Sequence, residues 1–219
     1  MNYNSLENIK ENSTFYQFME IEQDSHHEKV RFFENNKSSI KSMDFDFRIY
    51  VWCDYALSVF EIGRYQEFIK LSDELIPLVV EENVYEVRGV SIYEALLFRK
   101  GASLFNIHQY RESEYVFSEL CKIEKEPINK KAWRKAKYRI LKSSVRFMEA
   151  ISVLFFIATA VIIAIELFIV VTFYPEYSAM MENVRFVTFG LGLLAIFSTE
   201  LYVKLKSNKD YNQLINKKQ

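Results

Sequence analysis

The feature that most constrains this chain is an apolar stretch of 25 residues, AISVLFFIATAVIIAIELFIVVTFY, from Ala150 to Tyr174. An α-helix rises about 1.5 Å per residue, so about 20 residues cross the hydrocarbon core of a bilayer. This stretch is therefore long enough to span a membrane with some tilt. Its one charged side chain is Glu166. A charge inside a span is costly, so this carboxylate needs either a partner or contact with water.

A second, less apolar stretch, VRFVTFGLGLLAIFSTELYV, follows at residues 184–203. The first span is predicted at 147–173, and Pro175 opens a short polar turn at 174–183. Together the spans form a two-helix transmembrane hairpin over residues 147–204, with a basic tail at 205–219. A hairpin places both termini of the chain on one side of the membrane.

The basic residues predict which side that is. Eight of them precede the first span: Lys130, Lys131, Arg134, Lys135, Lys137, Arg139, Lys142 and Arg146. Five follow the second span: Lys204, Lys206, Lys209, Lys217 and Lys218. The turn at 174–183 has none. Because positive loops stay in the cytoplasm, we expect both termini to be cytoplasmic and the turn to be outside.

Four charged residues lie in or at the ends of the spans: Glu166, Arg185, Glu149 and Glu200. Glu166 has two readings. It could pair with Arg185 inside one hairpin. Alternatively, it could face a water-filled lumen and form a ring of carboxylates in an oligomer, which would favour cations. The sequence leaves both open.

The rest of the chain predicts an all-α protein. Five Gly and three Pro among 219 residues leave few helix breakers. The two parts of the chain differ in net charge, which is −9 for residues 1–128 and +8 for residues 129–219. We therefore expect a cytoplasmic helical part, with an N-terminal helical segment at 1–43 and helical repeats at 44–128, ahead of the membrane part.

The repeats are visible when the sequence is overlaid on itself with a shift of 45 residues. From Tyr55, seven of 21 positions are identical: Ser58/Ser103, Phe60/Phe105, Ile62/Ile107, Tyr65/Tyr110, Glu67/Glu112, Glu74/Glu119 and Leu75/Leu120. Each copy predicts a helix, a turn and a second helix, with turns at Gly63 and at 106–108. The second helix of the first copy is expected to end near Pro77 or soon after.

The stretches GRYQEF and HQYRES, each preceded by a small residue (Ala56, Gly101), resemble tetratricopeptide repeats. Phe68 and the 45-residue spacing depart from that family's pattern. The resemblance implies that the small residues let paired helices approach closely. It also implies a curved surface that binds a protein partner or holds subunits together.

A basic segment, NKKAWRKAKYRILKSSVR at 129–146, is predicted to be an amphipathic linker helix that continues into the first span without a break. Its basic residues would be attracted to anionic lipid headgroups, as a positive-inside flank is: Lys130, Lys131, Arg134, Lys135, Lys137 and Arg139.

The chain has none of the short motifs of phosphate-binding, hydrolytic or dinucleotide-binding enzymes. Its three His and two Cys show no metal-ligand spacing. We therefore expect a protein that is not an enzyme, with no catalytic residues, no metal site and no cofactor.

The basic helix with aromatics (KAWRKAKYRILKSS), the two-span hairpin, the short outer turn and the basic tail resemble the SLATT type of bacterial membrane effector. That resemblance implies a homo-oligomeric ion channel in the bacterial inner membrane that arrests growth in anti-phage defence. A nucleotide or oligonucleotide signal, made by a partner nucleotidyltransferase as in CBASS- or Hailong-type systems, would gate it. The resemblance implies that the phosphates and bases of this signal contact the linker helix, through Lys130, Lys131, Arg134, Lys135, Lys137, Arg139, Trp133 and Tyr138. The competing reading is a positive-inside flank that lies near lipid headgroups. The alternative is a membrane-anchored tetratricopeptide-like scaffold that docks a protein partner.

Overall fold

A computed structural model describes residues 13–87, 89–123 and 126–216. These residues are helical apart from connections and one two-residue β-hairpin, which confirms the all-α prediction. The chain divides into two compact units between Trp133 and Arg134. The boundary falls inside one helix, whereas the sequence predicted domain limits at 128 and 146.

The first unit is a succession of short helices. Residues 13–20 form α1. The remaining elements are α2 (His26–Asn35), α3 (Lys37–Lys41), α4 (Phe45–Glu61), α5 (Tyr65–Glu81), β1 (Glu86–Val87), β2 (Val90–Ser91), α6 (Ile92–Asn106), α7 (Tyr110–Ile123) and the start of α8 (Pro127–Ser144). The strands pair antiparallel, with Val87 opposite Val90. Helix α5 contains Pro77 and ends four residues after it, at Glu81.

The two predicted repeats have the same turn. Gly63 (φ 82°) and His108 (φ 66°) are equivalent under the 45-residue shift, and both have a left-handed backbone. In each turn the next residue donates its N–H to a carbonyl five residues earlier, which closes the helix end in a Schellman-type cap. These bonds are Arg64 to Val59 (3.1 Å) and Gln109 to Leu104 (2.9 Å).

Packing beside the turns also repeats. The rings of Phe60 and Tyr65 have centroids 5.7 Å apart, and those of Phe105 and Tyr110 are 5.1 Å apart. Gly101 lets α6 and α7 approach closely, because a Cβ there would lie 2.9 Å from the Phe117 ring. The aromatic identities seen in the sequence thus occupy equivalent places in the two helix pairs.

The core of the first unit is apolar with one buried ion pair. Val59, Phe68, Leu75 and other apolar side chains from α2 to α6 pack in one cluster. Beside it, Lys29 of α2 is 1% exposed, and its Nζ lies 3.2 Å from the Asp54 carboxylate of α4. The same ammonium donates to the Gln23 carbonyl at 2.8 Å. A fully buried lysine is rare and depends on such partners.

The second unit contains the end of α8 and the two helices that are long and apolar enough to cross a membrane. Its elements are α9 (Arg146–Ile165), a π-helical turn (Glu166–Val170), α10 (Val171–Phe173), a 3₁₀ turn (Pro175–Tyr177) and α11 (Ser178–Asn216). Helices α9 and α11 pack against each other. This arrangement is the predicted hairpin.

The linker helix does not continue into the first span, so that prediction was wrong. Helix α8 ends at Ser144, and α9 begins at Arg146 after Val145, which has φ −103° and ψ 10°. The hydroxyls of Ser143 and Ser144 both donate to the Ile140 carbonyl. Such bonds compete with the helix ladder and bend helices, so no Gly or Pro is needed for the break.

The outer turn and the tail also differ from the prediction. Helix α11 begins at Ser178, so only Tyr174 and the 3₁₀ turn separate the membrane helices. It continues without interruption to Asn216, so residues 205–216 of the predicted tail are helical. Lys217 and Lys218 lie outside the described residues, as do residues 1–12 of the predicted N-terminal segment.

Candidate functional site

Glu166 and Arg185 form an ion pair inside the hairpin. Arg185 donates from Nη1 to Glu166 Oε2 at 2.7 Å, and the Glu166 side chain is only 10% exposed. The Arg185 guanidinium also lies 3.9 Å from the exposed carboxylate of Glu182. Of the two alternatives from the sequence, the structure has the intrahairpin pair.

The backbone is irregular at this pair. Residues 166–170 form a π-helical turn, in which the Val171 N–H donates to the Glu166 carbonyl. A π-turn inserts one extra residue, which rotates the following side chains by about 100° relative to an unbroken α-helix. Glu166 and Val170, the first and last residues of this turn, are both buried. Such single turns are often found at functional sites.

Small and polar residues form the seam between α9 and α11. On the first span, which comprises α9 and the π-helical turn, the buried polar residues are Ser152, Thr159 and Glu166, at intervals of seven positions. On α11, Arg185, Gly192 and Thr199 have the same spacing, and the latter two are buried. Lipid tails are as apolar as large side chains, so burying such side chains between membrane helices gains little. Membrane helices therefore associate through small residues, which allow close approach, and through polar residues.

The seam hydroxyls are satisfied locally. Ser152 donates to the Glu149 carbonyl, Thr159 to that of Phe155, and Thr199 to that of Ala195. The large apolar side chains of both helices, such as Phe168 and Phe197, are exposed. The hairpin therefore has a polar inside and an apolar outside.

Gly192 permits a close helix approach, which gives a prediction. A Cβ at Gly192 would lie 3.1 Å from Phe156 Cε1 and 3.3 Å from Phe155 Cβ, whereas a Cβ at Gly190 would meet nothing within 4 Å. We expect Gly192→Leu to lower the free energy of unfolding of the hairpin by about 1–3 kcal/mol through overpacking. Detergent-to-SDS titration of the purified protein measures it.

Gly190→Leu is the matched control for that prediction, since it gives the same gain in helix propensity without the contact. Equal stabilities of the two variants would contradict the close-packed seam.

A second charge cluster lies at the other end of the hairpin, around Lys142. Its ammonium is 3.4 Å from Glu149 and 3.3 Å from Glu200. It also donates to the Tyr138 hydroxyl at 3.3 Å, and that hydroxyl donates to Glu200 at 3.1 Å. The hydrogen bond with Tyr138, followed by those to Glu200 and Glu149, raises the pKa of Lys142. The cluster connects α8, α9 and α11 across the break at Val145, and we call it the joint.

The charges bracket an uncharged layer. Sixteen residues separate Glu149 from Glu166 on α9, and 14 separate Arg185 from Glu200 on α11. At 1.5 Å per residue these segments are about 24 and 21 Å long, somewhat shorter than the bilayer hydrocarbon is thick, about 30 Å. In a membrane the two charge clusters would lie near its two surfaces. This placement explains how the span tolerates Glu166.

The predicted ligand-contact set is only partly available to a ligand. Trp133 is 1% exposed, so its ring is not open to a ligand in this structure. Lys137 pairs with Asp210 at 3.2 Å, and the Arg134 guanidinium lies 5.5 Å from the Tyr211 ring centroid. Tyr138 belongs to the joint. Lys131, Lys135 and Arg139 are exposed, and Lys130 is half-buried.

Sequence reasoning missed the role of Lys142 and the seam. Lys142 was counted only among the basic residues that set topology. The seven-residue spacing of small and polar positions on both spans is a signal that could have identified the seam. Within the described residues, no cluster of His, Cys, Asp and Glu could hold a metal ion.

Comparison of the chain with protein family models, curated proteins and solved structures finds no match.

Proposed function

We propose that several copies of this chain assemble through their hairpins into an ion-conducting membrane pore that the cytoplasmic helical domain gates. The observation that carries the proposal is the joint. Lys142 ties the end of α8 to both membrane helices at a break in the chain, through two carboxylates and a hydroxyl. A plain anchor does not require such a connection, whereas a gate requires one between its sensor and its spans.

The proposed setting is the bacterial inner membrane. The positive-inside rule supports cytoplasmic termini and an outer turn within 174–183. The resemblance to SLATT effectors supports a role as a growth-arrest effector in anti-phage defence. The trigger would be a nucleotide or oligonucleotide made by a partner nucleotidyltransferase. The repeated helix pairs of the first unit would hold the copies together or receive the signal.

The purified full-length chain tests this proposal. We expect a defined homo-oligomer when its mass is measured in detergent, and release of potassium from liposomes that contain it. Expression in bacteria should depolarise the membrane and stop growth. A monomeric protein that releases no ions, alone or with candidate oligonucleotides, would overturn the proposal.

The joint gives a specific prediction. Lys142→Met leaves Glu149 and Glu200 without their shared cation, so their repulsion should loosen the joint. We expect the potassium flux at rest to rise by about 5- to 150-fold, the usual range of coupling between sites. Lys131→Met is the matched control, because Lys131 is exposed on the same helix. Equal flux from both variants would count against gating through the joint.

The pairing of charges within one hairpin favours a second candidate, a membrane-anchored scaffold. Glu166 with Arg185, and Glu149 and Glu200 with Lys142, leave the outer surface of the hairpin apolar, as an anchor needs. A scaffold would keep its protein partner and its activity after an unrelated two-span anchor replaces residues 146–203. A pore would lose its activity in that exchange.

A further inference from the structure

The first unit contains an open cavity of about 770 Å³ that the sequence did not reveal. It lies among α2, α3, α4 and α5. Its size falls within the range of small-molecule sites, which are mostly apolar with a few placed polar groups. Every residue that lines it belongs to the first unit, and none belongs to the joint.

One side of the cavity is aromatic. Phe33 of α2 stacks on Tyr55 of α4 with ring centroids 3.8 Å apart and an angle of 8° between the planes. Trp52 and Phe45 of α4 line the same space and are half-buried. Rings that are held in place and partly open to solvent suit a flat apolar group, which loses little order on stacking.

The other side of the cavity is basic. Lys37 and Lys41 lie four residues apart on the short helix α3, and Arg48 of α4 lies beside them. Arg48 donates to the Lys41 carbonyl at 3.2 Å. In the part of the chain that the structure describes, no carboxylate pairs with any of these three cations. Like charges at this spacing repel each other, and a bound anion would relieve that repulsion.

The one acidic side chain in the cavity is already engaged. Glu67 accepts from the Tyr55 hydroxyl at 2.9 Å and pairs with Arg64 at 2.6 Å. The three cations also stand out from their surroundings, because residues 1–128 have a charge balance of −9. The cavity is therefore a local positive site in an acidic domain.

We propose that this cavity binds an organic anion that has a flat ring and one negatively charged group. The ring would lie against Trp52 and its aromatic neighbours, and the anionic group would contact Lys37, Lys41 and Arg48. A nucleoside phosphate and an aromatic sulfonate share this chemistry. This proposal does not depend on whether the hairpin conducts ions, because ligand binding and ion flux are measured separately.

Trp52 provides the reporter, because the chain has only one other tryptophan, Trp133. In full-length Trp133→Phe protein in detergent, we expect AMP and p-toluenesulfonate to quench tryptophan emission with saturation. Adenosine and p-toluenesulfonamide keep the rings without the charge, and each should bind at least about tenfold more weakly than its charged counterpart. Titration calorimetry of the unchanged chain gives the same comparison without the Trp133 substitution.

Two double variants locate the site. Lys37→Gln/Lys41→Gln should weaken the binding of both anions by about tenfold or more, whereas Arg31→Gln/Lys70→Gln removes two exposed cations outside the cavity and should not. Quenching by AMP alone would narrow the ligand class to nucleotides. Equal binding of charged and neutral probes, or no binding by calorimetry, would overturn the proposal.

Discussion

Replacing Arg185 with leucine is expected to lower the free energy of unfolding of the hairpin by about 3 kcal/mol. The change leaves the Glu166 carboxylate, 10% exposed, without the guanidinium 2.7 Å away. An uncompensated charge in a low-dielectric setting costs several kcal/mol, which exceeds what an exposed pair contributes. Detergent-to-SDS titration of the purified full-length protein measures the loss.

The double variant Glu166→Leu/Arg185→Leu should regain most of that stability, because neither charge is then stranded. Glu182→Gln is the control at the same arginine, since Glu182 is 54% exposed and 3.9 Å away. It should change stability by less than about 0.5 kcal/mol. Additive losses from the two leucine substitutions would show that Glu166 and Arg185 do not interact.

Replacing Lys29 with methionine should be equally damaging in the first unit. The substitution keeps an unbranched side chain of similar length but leaves Asp54 buried without its cation, 3.2 Å away. Breaking such a pair costs about 3–5 kcal/mol. Urea unfolding of the full-length protein in detergent, followed by circular dichroism, should show an earlier transition of this unit.

Arg31→Met serves as the control for Lys29→Met. Arg31 lies two residues after Lys29 on the same helix. Its side chain is 73% exposed, and its guanidinium lies 3.7 Å from the Glu28 carboxylate. It should have an effect below about 0.5 kcal/mol. If Lys29→Met cost as little as Arg31→Met, the buried pair would not be a determinant of stability. Lys29→Met/Asp54→Leu should recover part of the loss.

The hairpin and the helix pairs were predictable because their signals are long or repeated. Two apolar stretches separated by a short polar segment specify a hairpin, and the hairpin makes Glu166 and Arg185 neighbours. The left-handed residues Gly63 and His108 occupy the positions at which the self-overlay placed turns. In both cases the signal involves many residues, so no single side chain decides the outcome.

The missed features depend on contacts between residues distant in sequence. Lys29 stands in the polar run HHEKVRFF, which reads as solvent-exposed, and its partner Asp54 is 25 residues away. The break at Val145 has neither Gly nor Pro to mark it. The cavity cations come from two helices, α3 and α4. Local pattern carries no information about such pairings, which tertiary packing alone creates.

The two membrane helices differ in stiffness. Helix α11 is an unbroken rod of 39 residues, about 58 Å long, which runs from the short turn well past Glu200. The first span is preceded by a break in the helix at Val145 and is interrupted by the π-turn at residues 166–170. An unbroken helix tilts as a rigid body along its whole length. A helix with two irregular points bends at those points when the same force acts on it. We therefore expect conformational change in this hairpin to be concentrated in the first span, which would bend relative to a rigid α11.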